Sequence, residues 1–121
     1  MDLLNRAKQL QDRTKKFAVR IIKGVCEVTK GRSYAGYWAT IPPIGNFAGC
    51  ELCAACRARS SADFISKITV VSEEADETLF WLELLIDSEL ITTKKVESLM
   101  AECEELLKIF AASLATAKQN R

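Results

Sequence analysis

Histidine is absent from the chain. That removes the commonest general base at neutral pH and the commonest metal ligand. It also removes the Glu-x-x-His pairs from which a di-metal carboxylate bundle is built. No apolar run approaches the roughly 20 residues that span a bilayer. The opening stretch, MDLLNRAKQLQDRTKK, is charged and amphipathic and lacks the apolar centre of a signal peptide. Neither charge dominates: 17 basic residues face 16 acidic ones, net +1, whereas a protein that coats nucleic acid usually has a clear basic surplus. No glycine-rich loop leads into a helix and a following Lys to cradle phosphate. No segment alternates apolar and polar residues as a half-buried strand does.

What remains is helical pattern. With 121 residues, 49% hydrophobic and 27% charged, the chain has the length and composition of one globular domain, 1–121. From Asp2 to about Thr29, apolar or small residues fall at Leu3, Ala7, Leu10, Thr14, Phe17, Ile21 and Val28, with Leu4, Ala18, Ile22 and Val25 widening the stripe, at helical spacings of three and four. Between Lys30 and Gly49 lie four glycines and the tandem Pro42–Pro43, which break a helix because proline lacks an amide proton and clashes with the preceding turn. So long and apolar a loop, with Tyr34, Tyr37, Trp38 and Phe47, is unusual. It reads as a functional lid or a local fault in the sequence.

Helical pattern resumes near Cys50. Ser60 and Ser61 are N-cap candidates for the next helix, and Asp63 puts a carboxylate in its first turn, where the helix dipole favours it. That helix is expected to bury Phe64, Ile68, Val71, Ala75, Leu79, Leu82 and Ile86, with Ile65 and Leu85 flanking the seam. A short connection and a cap at Thr92 or Thr93 lead to a last seam of Val96, Leu99, Cys103, Leu106, Phe110 and Leu114. The expected fold is all-α: an antiparallel up-down four-helix bundle, with helices at about 2–29, 47–58, 61–87 and 93–118. Its second helix is shortened or broken around Ile41–Gly49.

Cys50, Cys53 and Cys56 form C-x-x-C-x-x-C, a spacing that can wrap an iron–sulfur cluster or zinc. A ferredoxin run needs a fourth cysteine followed by proline, but Ser60 stands where that cysteine would, and no histidine completes a zinc site. Buried or incidental thiols are the expectation, with no metal, no cofactor and no catalytic residue. Cys26 and Cys103 lie on or beside apolar stripes and read as small hydrophobes. Five cysteines with no export signal point to reduced thiols and a cytoplasmic protein.

Three segments resemble one known family: DRTKKFAVRIIKGV (Asp12 to Val25), ACRARSSADFISKITVVSEEADETLFWLELLIDSELI (Ala55 to Ile91) and ELLKIFAASLATAK (Glu105 to Lys118). They are similar to the four helix bundle protein family of small bacterial proteins, also called 23S rRNA-intervening-sequence proteins. That family is similar in turn to the accessory variability determinant of diversity-generating retroelements, a pentameric bundle that binds nucleic acid and a reverse transcriptase. The resemblance implies a homo-oligomer, pentameric in particular, without enzymatic activity. The match fails in the second helix. There the family has a string resembling VIGRQFLRSATSVGANYRAACRARS, and this chain has GYWATIPPIGNFAGCELCAACRARS. Degenerate codons for Gly36 to Leu52, read one nucleotide downstream, can spell the family string nearly throughout. Ser33 to Cys53 is therefore expected to be out of frame relative to its relatives, with only Cys56 of the cluster matching them. Nucleotides that do not spell the string in the shifted frame dispose of that reading.

Two functional readings lead. The first is a non-enzymatic assembly module that binds itself and a protein or nucleic-acid partner, with no membrane and no small-molecule substrate. In it Arg57 and Arg59, both matched by the family, form structural ion pairs with Glu74 and Glu77. The second is direct RNA or DNA binding through Arg13, Lys16, Arg20, Lys23, Arg57 and Arg59, with affinity that falls steeply with salt. A third, less favoured, is a metal or redox protein through Cys50, Cys53 and Cys56.

Overall fold

The structure is a computed structural model that describes residues 3–29, 50–88 and 93–120. The expected break at Ile41–Gly49 and most of Ser33–Cys53 lie outside the described residues. Among the described residues the chain is all helix: α1 (Leu3–Thr29), α2 (Cys50–Cys56), α3 (Ser61–Asp87) and α4 (Thr93–Gln119).

Capping positions α3. Ser60 is extended (φ −157°, ψ 167°), and its hydroxyl accepts from the Asp63 amide at 3.1 Å. The Asp63 carboxylate reaches back to accept the Arg59 amide at 3.2 Å and forward to Lys67 Nζ at 2.8 Å. This satisfies amides that a helix start leaves unpaired. At the other end the Ser88 amide donates to the Leu84 carbonyl at 2.9 Å.

The most extensive interface lies between α3 and α4; α2 lies on α3, and α1 on α4 and α2. The core is one cluster drawn from all four helices: Phe17 and Ile21 of α1, Leu52 and Ala55 of α2, Ile68, Val71, Ala75, Leu82 and Leu85 of α3, and Val96, Cys103, Leu106 and Phe110 of α4. Two buried threonines join it without leaving an unpaired hydroxyl. Thr14 Oγ1 donates to the Leu10 carbonyl at 2.7 Å, and Thr78 Oγ1 to the Glu74 carbonyl at 2.9 Å. The Cys103 thiol donates to the Ala75 carbonyl at 3.2 Å and ties α4 to α3. Burial pushes that thiol up to about 12, so it stays protonated and unreactive.

Polar contacts set the register of α1 on α4. The Arg13 guanidinium grips the Glu102 carboxylate with two bonds of 2.8 Å, and an Arg20 Nη donates to Ser98 Oγ at 2.7 Å. The contacts step back along α4 as they step forward along α1.

Candidate interaction surface

The basic face expected on α1 is divided in the structure. Arg13 and Arg20 turn toward α4, and their hydrogen-bonding groups meet Glu102 and Ser98. Lys16 and Lys23 stand exposed, together with Lys15, which the sequence did not single out. The Arg13–Glu102 pair is bidentate and part-buried. It holds the Glu102 carboxyl below its ordinary range, chiefly through the hydrogen bond from Arg13, and raises Arg13 for the same reason.

Arg57 and Arg59 do not pair with Glu74 and Glu77; no such ion pair forms among the described residues, and this corrects the expectation. Geometry is the reason. The two arginines lie in the turn between α2 and α3, and Glu74 is about 20 Å further along α3 at 1.5 Å per residue, beyond the reach of either guanidinium. Both are exposed. The Arg59 amide serves the cap through Asp63, whose carboxyl is held low first by its bond from Lys67 and then by the Arg59 amide.

Glu74 has a different role. Its Oε2 is buried and has no hydrogen-bond partner among the described residues. Burial raises its pKa, with Glu51 of α2 and Glu77 adding repulsion. Glu51 near Glu74, with Arg57 by the α3 start, means that α2 doubles back along α3. Because the folded state disfavours charged Glu74, the penalty is absent below the ordinary carboxylate range and complete above the raised value. Glu74→Gln, which removes the charge, is therefore expected to raise the stability of the fold at pH 7. The gain should vanish in acid, and urea denaturation at pH 7 and pH 4 reads it. Glu102 acts in the opposite sense: its contribution is present above the ordinary range and is lost as pH falls through its lowered value.

Among the described residues the largest apolar exposure belongs to α3. Phe80 is 54% exposed, set edge-on to Trp81 with ring centroids 5.9 Å apart. At roughly 100° per residue, position 80 falls opposite the buried Ile68–Leu85 stripe. Exposed Glu73, Asp76 and Glu77 lie one and two turns before it. Val70 on α3 and Val19 on α1 are also exposed. Phe80 was not singled out from the sequence; the signal was available, since it is a large aromatic off the core stripe.

The thiols are split. Cys103 is buried, Cys53 half-buried and Cys56 exposed, all as free cysteines. The Cys50 side chain lies outside the described residues. Among the described residues no three Cys, Asp or Glu gather as a metal ion requires, and no helix is long and apolar enough to cross a membrane.

Among the described residues the fold and surface are those of a small all-helical protein with polar and apolar features on its exterior. No family model matches the chain, and no curated protein does. A crystal structure at 1.70 Å resolution of a protein of unknown function, from the S23 ribosomal protein family of Bacteroides thetaiotaomicron, is similar over 90% of this chain and 97% of that one, with TM-score 0.77 and 31% identity. The chain belongs to the S23 ribosomal protein family.

Proposed function

We propose that this protein is a non-enzymatic assembly module that associates with copies of itself through the outside of α3. The observation that carries this reading is Phe80, 54% exposed and opposite the core. An aromatic held in water gains by burial against a partner, and aromatics are enriched at interface centres. The resemblance to the rRNA-intervening-sequence type supports a ring of five, and its likeness to the retroelement accessory protein supports a nucleic-acid or reverse-transcriptase partner. The same reading takes the helices as an antiparallel up-down bundle in the cytoplasm. The reversed order of the Arg13–Glu102 and Arg20–Ser98 contacts supports the antiparallel arrangement. Light scattering of the purified protein should give a multiple of the 13.5 kDa chain mass, five-fold for the ring. A single-chain mass at every concentration rejects self-association.

A second reading, direct nucleic-acid binding, is favoured by exposed Lys15, Lys16, Lys23, Arg57 and Arg59. Its basic surface loses Arg13 to the pair with Glu102, whereas Arg20, bonded to Ser98, stays exposed. Filter retention of structured RNA should fall with salt; no retention at low salt removes this reading.

A further inference from the structure

We infer that Cys53 and Cys56 form a two-thiol site for a soft, thiophilic centre that bridges both sulfurs, such as a trivalent arsenical. This inference does not depend on self-association, and it concerns the chain as it stands, whatever the origin of Cys53. The two cysteines lie one turn apart on α2. Both are free, Cys56 exposed and Cys53 half-buried, with the Cys53 thiol donating to Gln11 Oε1 of α1 at 3.5 Å.

Helix geometry selects the ligand class. Side chains three apart have Cβ atoms about 5–6 Å from each other. A disulfide requires about 3.5–4.5 Å, so a direct S–S bond would have to unwind the turn. A bridging centre adds two bonds, each about 2.3 Å where zinc is the centre, and closes the gap with the helix intact. The turn itself is held. Leu52 and Ala55 are each 1% exposed in the core, and the Arg57 and Ala58 amides donate to the Ala54 and Ala55 carbonyls at 3.2 and 3.1 Å. Cys103 cannot compete, since it is sealed in the core on Ala75.

The chemistry balances without an oxidant. Phenylarsine oxide carries an As–O bond. Two As–S bonds form, both thiol protons leave with the oxygen as water, and arsenic stays trivalent.

The test treats full-length protein with one equivalent of phenylarsine oxide, then challenges it with excess 2-mercaptoethanol or with 2,3-dimercaptopropanol. One arsenical per chain should survive the monothiol, leave with the dithiol and shield two thiols from iodoacetamide. Cys53→Ser and Cys56→Ser should each cut retention against the monothiol by roughly 10²-fold or more, the gain that a second linked contact gives. The double variant Cys26→Ser/Cys50→Ser should retain it. Retention by either single variant, or its loss in the double variant, overturns the site. Where alkylation of Cys103 reveals an unfolded variant, peptide mapping of the wild-type adduct decides: a bridge between Cys53 and Cys56 supports the site, and a bridge elsewhere overturns it.

Discussion

Phe110→Ala is expected to cost about 3–5 kcal/mol, the range for removing a buried ring and leaving a cavity behind. Phe110 is fully buried on α4, in a cluster to which every helix contributes. A loss of this size is a large part of the roughly 5–15 kcal/mol that holds a domain folded. In urea the midpoint should fall while the slope is kept, the pattern of a destabilised but still cooperative fold. The comparison should be made at fixed protein concentration, since the proposed assembly would couple to unfolding. Val19→Ala serves as the control. Val19 is 42% exposed on α1, away from the proposed interface, and a surface change of this kind stays near about 0.5 kcal/mol. Equal effects at the two positions would mean that Phe110 does not lie in the core.

Phe80→Asp is expected to leave the helices intact and reduce the molar mass to that of one chain. Phe80 lies opposite the core, so its removal costs the isolated fold only the edge-on contact with Trp81, about 0.5–1.5 kcal/mol. At an interface centre an aromatic anchor contributes about 2 kcal/mol or more. That corresponds to a roughly 30-fold weaker association. The new carboxylate also joins exposed Glu73, Asp76 and Glu77, which adds like-charge repulsion. Sedimentation velocity reads the mass, and circular dichroism checks the helices. Phe80→Leu should keep most of the association. An unchanged mass for Phe80→Asp would place any interface elsewhere.

Much of the fold was legible in the spacing of apolar residues, and its misses have physical causes. Phe17, Ile21, Ile68, Val71, Ala75, Leu82, Val96, Cys103, Leu106 and Phe110 were expected on helix seams and are buried. On α3 the expected stripe drifted forward. It chose Phe64, Leu79 and Ile86 and set Leu85 only on its flank, whereas the structure buries Thr78 and Leu85 and leaves the other three half-buried. Two successive steps of four overrun a 3.6-residue turn. Thr78 could be passed over because its hydroxyl reads as polar, yet the Glu74 carbonyl satisfies it inside the helix. Of the two cap candidates, Ser60 and Ser61, the structure uses Ser60, and Asp63 lies in the first turn as expected, because capping is local. The surface was less legible. The failure of Arg57 to reach Glu74 was open to the spacing, since the turn adjoins the start of α3. Whether Arg13 meets solvent or Glu102, and whether Arg20 meets Ser98, depends on how α1 seats on α4. Neither is encoded in spacing along one helix.

The most direct test of the central claim, that the outer face of α3 joins copies of this protein, is photocrosslinking from position 80 itself. Benzoylphenylalanine in place of Phe80 keeps an aromatic at that point and bonds to whatever lies against it. Irradiation of the purified protein should give chain-to-chain adducts that map to a defined surface of the neighbouring copy and disappear on dilution. Light that leaves only single chains, at concentrations where the wild type is assembled, would contradict the account.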